Sequence, residues 1–140
     1  ASAQFGVLVQ VLMVMTILMA VVGSIGLSGT LSINVIERRR EIGVMRAVGA
    51  SSRDVGFVFT GEGLMLGITS WLLAVPLGIA ASPTFVKILG DVIDFPAEYY
   101  PGTDGVLLWL GIVIILSIFA SWLPARRATR ISVRESLAYE

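Results

Sequence analysis

The sequence contains no cysteine and no histidine, and its single lysine is Lys87. Without cysteine there is neither a disulfide framework nor a thiolate metal site. Without histidine as well, the most versatile acid–base group and the most nucleophilic side chain are both missing. A serine–lysine pair would have to use Lys87, beside which no suitable serine stands. No G-x-x-x-x-G-K-[ST] occurs, so the chain has no P-loop with which to hydrolyse ATP. Asp91, Asp94 and Glu98 are close in sequence but lack the ligand density and glycine placement of a calcium loop. The expectation is therefore no enzyme, with no catalytic, cofactor or metal site. Charge is scarce too, at 14% of residues against about 25% in ordinary soluble domains.

What the chain has instead is apolar length. Of its 140 residues, 56% are hydrophobic. Crossing a bilayer takes roughly 18 or more uncharged residues, and three runs qualify: Ala1 to Ile36, Val55 to Thr84 interrupted by Glu62 alone, and Gly105 to Pro124. An all-α membrane protein with three transmembrane helices follows. Arg38, Arg39, Arg40, Arg46 and Arg53 lie between the first two spans, and Arg126, Arg127, Arg130 and Arg134 follow the third. Between the second and third, Lys87 is outnumbered by Asp91, Asp94, Glu98 and Asp104. Basic residues mark the cytoplasmic side. The first charged segment and the C-terminus are thus expected in the cytoplasm, with residue 1 and the acidic loop outside. No nucleic-acid partner is expected. With no charged leader region and no initiator methionine, the sequence reads as the C-terminal part of a longer protein.

The first helix is expected over 5–36, continuing to about 48. From Phe5 to Val35 alone it would be about 46 Å long, against a hydrocarbon core of about 30 Å, so it must tilt or protrude. Ala20, Ser24, Ser28 and Ser32 recur along it every four residues, with Gly23, Gly26 and Gly29 on the adjacent flank. Small residues at this spacing admit a second helix closely. The next helix is expected over 54–82, with Gly49 ending its predecessor and Ser51 or Ser52 as N-cap ahead of Asp54. It carries Gly63 and Gly67, then Ala74, Gly78 and Ser82, as another small face, and Pro76 as a kink site. Glu62 is the one intramembrane acid. Two uses are open for it: a proton or substrate contact, or a shallow carboxylate turned toward other helices or paired with an arginine at the interface.

The outer loop, 83–104, holds Val86, Ile88, Leu89, Val92 and Ile93 between polar residues, the pattern of a short amphipathic surface helix. Phe95, Tyr99, Tyr100 and Trp109 fit an interfacial aromatic belt. The third helix is expected over 105–123, followed by a cytoplasmic tail over 124–140. On the cytoplasmic side, Ile42, Met45 and Val48 recur at i+3 as an apolar ridge, Arg39 and Arg46 share a face, and Arg38 can pair with Glu41. Such a helix end suits a soluble partner; the plainer reading is that its arginines only fix topology.

The stretch "ERRREIGVMRAVGASSRDV" resembles the segment joining the second and third membrane helices of the FtsX-like permease family, the membrane subunits of MacB-type ABC transporters. "LPARRATRISVRESLAYE" resembles that family's C-terminal signature, kept at Pro124, Ala125, Arg126, Arg127, Ala128, Glu135 and Leu137. Val133 stands where the family has a proline, and Ser132 where an acid is common.

The resemblance implies a first helix, a large extracytoplasmic domain and then three helices, of which this chain matches the last three. It implies a multi-pass permease in a prokaryotic inner membrane, paired with a second permease copy or homologue and with a cytoplasmic ATPase that holds ATP and magnesium. It further implies that the turn around Arg46, Ala47, Val48, Gly49, Ala50, Ser51 and Ser52 seats on that ATPase, with Arg39, Glu41, Ile42 and Met45 on the adjoining helix face. Motion would then pass to the outside for export, lipoprotein extraction or signalling. The competing expectation is a membrane anchor or assembly module that transmits nothing.

Overall fold

The computed structural model describes residues 2–93 and 102–130. Among these the chain forms helices only: α1 Ser2–Glu37, α2 Arg39–Ala47, α3 Ser52–Ile93 and α4 Thr103–Ala128. Three of them, α1, α3 and α4, are long and apolar enough to cross a membrane. At about 1.5 Å per residue, the 36 residues of α1 extend about 54 Å and the 42 of α3 about 63 Å.

The expected single helix from 5 to about 48 is interrupted at Arg38, whose φ of −95° and ψ of 19° lie in the bridge region. The bend has a packing reason. It turns α2 so that Ile42 and Gly43 bury beneath it while Arg39 and Arg40 stay in solvent.

The second expected boundary also moves. The separate amphipathic segment after residue 82 is instead the last turns of α3, which continues through Pro76 and Pro83 to Ile93. Pro83 has no N–H to give the Ile79 carbonyl, and the Ser82 hydroxyl donates to that oxygen instead at 3.1 Å. A neighbouring hydroxyl that takes over the freed acceptor is what lets an apolar helix tolerate proline. The third helix begins two residues earlier than expected and runs past Pro124 to Ala128. The first residues of the expected tail are therefore helical, with Pro124, Ala125 and Ala128 buried.

Packing centres on α4, which lies against both α3 and α1, whereas α1 and α3 meet over only a short stretch. The expected small face of α3 is where α4 comes closest. A Cβ at Gly63 would fall 1.9 Å from Ser121 Oγ, and one at Gly67 would fall 2.0 Å from Ser117 Oγ. As α3 advances one turn α4 retreats one turn, so the two helices are antiparallel. Ser117 and Ser121 were not anticipated as partners, although the small residues Ser117, Ser121 and Ala125 at four-residue spacing carried the signal.

Farther along, Ala74 and Gly78 line a cavity of about 450 Å³ between α3 and α4, together with Trp71 and Trp109. The second small face thus borders a gap rather than a contact. Trp109, expected in an interfacial belt, lines that gap. Phe95, Tyr99 and Tyr100 lie outside the described residues. On α1, Ala20, Ser24, Ser28 and Ser32 are all half-buried, and Ala20 and Ser24 line a second cavity of about 300 Å³ that faces α3 and α4. Their hydroxyls do not bridge helices: Ser24 donates to the Ala20 carbonyl at 2.8 Å and Ser32 to that of Ser28 at 2.7 Å. Back-bonded in this way, the serines act as small residues.

Candidate functional site

Where α1 ends, α3 begins and α4 ends, the chain gathers a core of Val35, Ile42, Val55, Phe59, Ala125 and Ala128, with Met45 packed against it. The exposed charges of Arg39, Arg40, Arg53, Arg126 and Arg127 surround this core. The ridge of Ile42, Met45 and Val48 is consequently not an outward face. Ile42 is fully buried and Met45 partly so, because the bend at Arg38 points them at α3 and α4. Val48 alone faces solvent, at 85% exposure. Arg39 and Glu41 are exposed as expected.

The turn after α2 is closed from both sides. The Gly49 N–H donates to the Arg46 carbonyl at 3.0 Å and the Ala50 N–H to the Met45 carbonyl at 2.9 Å. This is the paired bonding of a Schellman motif, with Gly49 at the left-handed position and φ of 105°. On the other side the cap is Ser51 rather than Ser52. The Ser51 N–H donates to Asp54 Oδ2 at 2.8 Å, and the Asp54 N–H donates to Ser51 Oγ at 3.3 Å. Reciprocal bonds of this kind satisfy two groups that a bare helix start leaves open. Six residues, from Gly49 to Asp54, are enough to reverse the chain, and Val48 is held at the tip.

Arg46 does not join that tip. Its Nη2 donates to Ser52 Oγ at 3.2 Å and to the Thr129 carbonyl just beyond α4. Its Nε is buried and has no hydrogen-bond partner among the described residues. Arg46 and Arg39, expected on one face, therefore diverge: Arg39 is solvated and Arg46 is turned inward. The reason lies in α4. Its last carbonyls have no helical partner of their own, and a guanidinium at a helix C-terminus also meets the negative end of the helix dipole.

Glu62 is paired from α1. Asn34 Nδ2 donates to Glu62 Oε1 at 3.0 Å, and Arg38 Nη1 reaches Glu62 Oε2 at 3.4 Å. Arg38 also donates through Nε to Glu41 Oε2 at 2.6 Å and lies 5.9 Å from the centroid of the Phe59 ring. The Glu41 hydrogen bond is the main reason the Arg38 pKa is raised; burial opposes it, and the charges of Glu41 and Glu62 add to it. Asn34 escaped notice in the sequence, though it is the only asparagine in the chain and sits one turn before the arginines.

At the surface, Arg126 stacks 4.1 Å from the Trp122 ring centroid, a cation–π pair between two exposed residues one turn apart. Within the C-terminal signature, Pro124, Ala125 and Ala128 are core and Arg126 and Arg127 are surface, while Glu135 and Leu137 lie outside the described residues.

Long apolar helices, a close small-residue contact and a charged end folded around a capped turn define a helical membrane protein with one elaborated face. The model of the FtsX-like permease C-terminal family matches residues 13–133. The chain belongs to the FtsX-like permease family. It is 32% identical over 120 residues to the macrolide export ATP-binding/permease protein MacB of Bdellovibrio bacteriovorus, covering 86% of this chain and 18% of that protein. It is 31% identical over 139 residues to MacB of Sodalis glossinidius, covering 99% of this chain and 20% of the relative. To an uncharacterized ABC transporter permease of Methanocaldococcus jannaschii it is 26% identical over 147 residues, covering 99% of this chain and 35% of the relative. The chain thus spans between about a fifth and a third of the length of these relatives. No solved structure gives a significant match.

Proposed function

We propose that this chain is the membrane portion of an ABC permease that receives motion from a cytoplasmic ATPase and passes it to the far side of the membrane. The arginine-rich end is the cytoplasmic one, as the distribution of basic residues supports. Residue 1 then lies outside, and the membrane is the inner membrane of a prokaryote. ATP and magnesium belong to the ATPase, in keeping with the ATP-binding/permease names of the MacB relatives. The first half of α1 exposes large apolar residues such as Val7, Met13, Met19 and Val22. Lipid and a second permease copy are the surroundings that suit such a helix.

The observation that carries this reading is the position of Val48. A valine 85% exposed at a capped tip packs against nothing substantial among the described residues, on an end of the chain that also exposes Arg39, Arg40 and Arg53. It has the form of an anchor for an apolar pocket on a soluble partner with an acidic rim. The test is Val48→Asp in the full-length permease, with co-purification of the ATPase as readout. The Val48 side chain supports nothing internally, so folding should survive while co-purification drops at least tenfold. Unchanged co-purification would refute docking at this turn.

A further inference from the structure

We infer that Arg46 is a positioning residue that makes the α2–α3 turn and the cytoplasmic end of α4 one mechanical body, so that a push on the turn is delivered to α4. The inference deepens the proposed function and rests on it. Sequence reasoning placed Arg46 among the groups that touch the ATPase, and the geometry assigns it the opposite direction.

Three observations converge. The Arg46 guanidinium joins Ser52 at the start of α3 to the Thr129 carbonyl at the end of α4, with its Nε buried between them. Beside it a Cβ on Gly56 would stand 3.5 Å from Thr129 Cγ2, ordinary van der Waals contact. Beneath it Ile42 of α2 shares a core with Val55 and Phe59 of α3, Ala125 and Ala128 of α4, and Val35 from the last turn of α1. Two turns farther up, Gly63 and Gly67 press on Ser121 and Ser117. From turn to mid-membrane, therefore, α3 and α4 are in continuous close contact.

The junction with α1 is different in kind. The helix is interrupted at Arg38, and α1 meets α3 over only a short stretch, its main packing being against α4. Its polar links to α3, Asn34 and Arg38 on Glu62, involve partly exposed groups. Close-packed interfaces transmit displacement, whereas an interrupted helix can pivot. Motion arriving at Val48 reaches α4 directly, and reaches α1 through the bend at Arg38 and through the packing of α1 on α4.

The experiment uses the full-length permease with its ATPase in proteoliposomes, and the readout is the permease-dependent part of ATP hydrolysis. Arg46→Ala should leave ATPase co-purification intact and reduce the permease-dependent rate at least fivefold, while Arg46→Lys, keeping one donor, should recover part of it. This chain has no cysteine, so Gly56→Cys with Thr129→Cys provides a specific cross-link. In the Arg46→Ala background, oxidation should restore the rate and reduction should abolish it again.

If Arg46→Ala does not fold, the cross-link with native Arg46 still decides. Locking two parts that move together should change nothing, so loss of the rate on oxidation would overturn the inference. Loss of co-purification in Arg46→Ala without rescue by the cross-link would also overturn it, returning Arg46 to the docking surface. Absence of co-purification in the unmodified protein would overturn the proposed function itself.

Discussion

Asn34 on α1 donates a hydrogen bond to Glu62 on α3 at 3.0 Å, across 28 residues of sequence. An acid inside an apolar span ordinarily invites a transport role. Here both carboxylate oxygens have partners, one from Asn34 and the other from Arg38. The arrangement clips the bend of α1 to the first turns of α3.

Glu62→Gln should therefore keep the Asn34 contact and support normal activity, whereas Glu62→Ala should lower stability by about 1 kcal/mol. The figure is at the low end for a charged hydrogen bond because Arg38 is 40% exposed and solvent screens the pair. Thermal unfolding in detergent would measure the stability change. Loss of transport in Glu62→Gln at unchanged stability would restore a proton or substrate role.

The Gly63–Ser121 contact makes a reciprocal prediction. Gly63→Ala should cost roughly 1–3 kcal/mol through overpacking, since the new methyl meets both Ser121 Oγ and, at 3.0 Å, Ser121 Cβ. Adding Ser121→Gly should recover most of that loss. Gly23→Ala on α1, with nothing within 4 Å, should be neutral in the same assay. Equal effects at both glycines would show that helix propensity rather than packing is being measured.

At the turn, Gly49→Ala should destabilise by about 1–2 kcal/mol from backbone conformation alone, because no atom lies near the added Cβ while φ is 105°. Ser51→Ala should cost about 1 kcal/mol through the lost cap. Both substitutions should weaken ATPase co-purification less than Val48→Asp does, since they loosen the tip without altering the surface it offers.

Orientation can be read with single cysteines, because this chain supplies none of its own. Exposed Arg40 lies on α2, just before α3 begins, and exposed Asp91 lies in the last turn of α3. In intact cells with a permeable outer envelope, Asp91→Cys should label with a membrane-impermeant maleimide, and Arg40→Cys should label only after the inner membrane is opened. The reverse pattern would invert the proposed topology.

Sequence alone determined the three long apolar helices, the close-packing pair Gly63 and Gly67, and the capped turn at Gly49 to Asp54. Each of these depends on residues near one another along the chain: uncharged length, four-residue spacing, and a glycine followed by Ser51 and Asp54. The Arg38–Glu41 pair belongs with them. The persistence of α3 beyond Pro83 was also local, since Ser82 precedes the proline, but its hydroxyl's service to Ile79 was masked by the stronger helix-breaking signal of proline.

Tertiary structure decided which way the residues face. Periodicity groups Ile42, Met45 and Val48 as a ridge, yet the bend at Arg38 sends the first two into the core and leaves the third in solvent. Arg46 looked like a surface cation until the end of α4 arrived beside it with the Thr129 carbonyl as an acceptor. Glu62 was open to a proton or substrate contact or to pairing with an arginine, and the structure supplies Asn34 and Arg38 from α1 as its partners. Spacing fixes a residue's angle around its own helix, but only the neighbouring helix determines whether that angle meets protein, lipid or water.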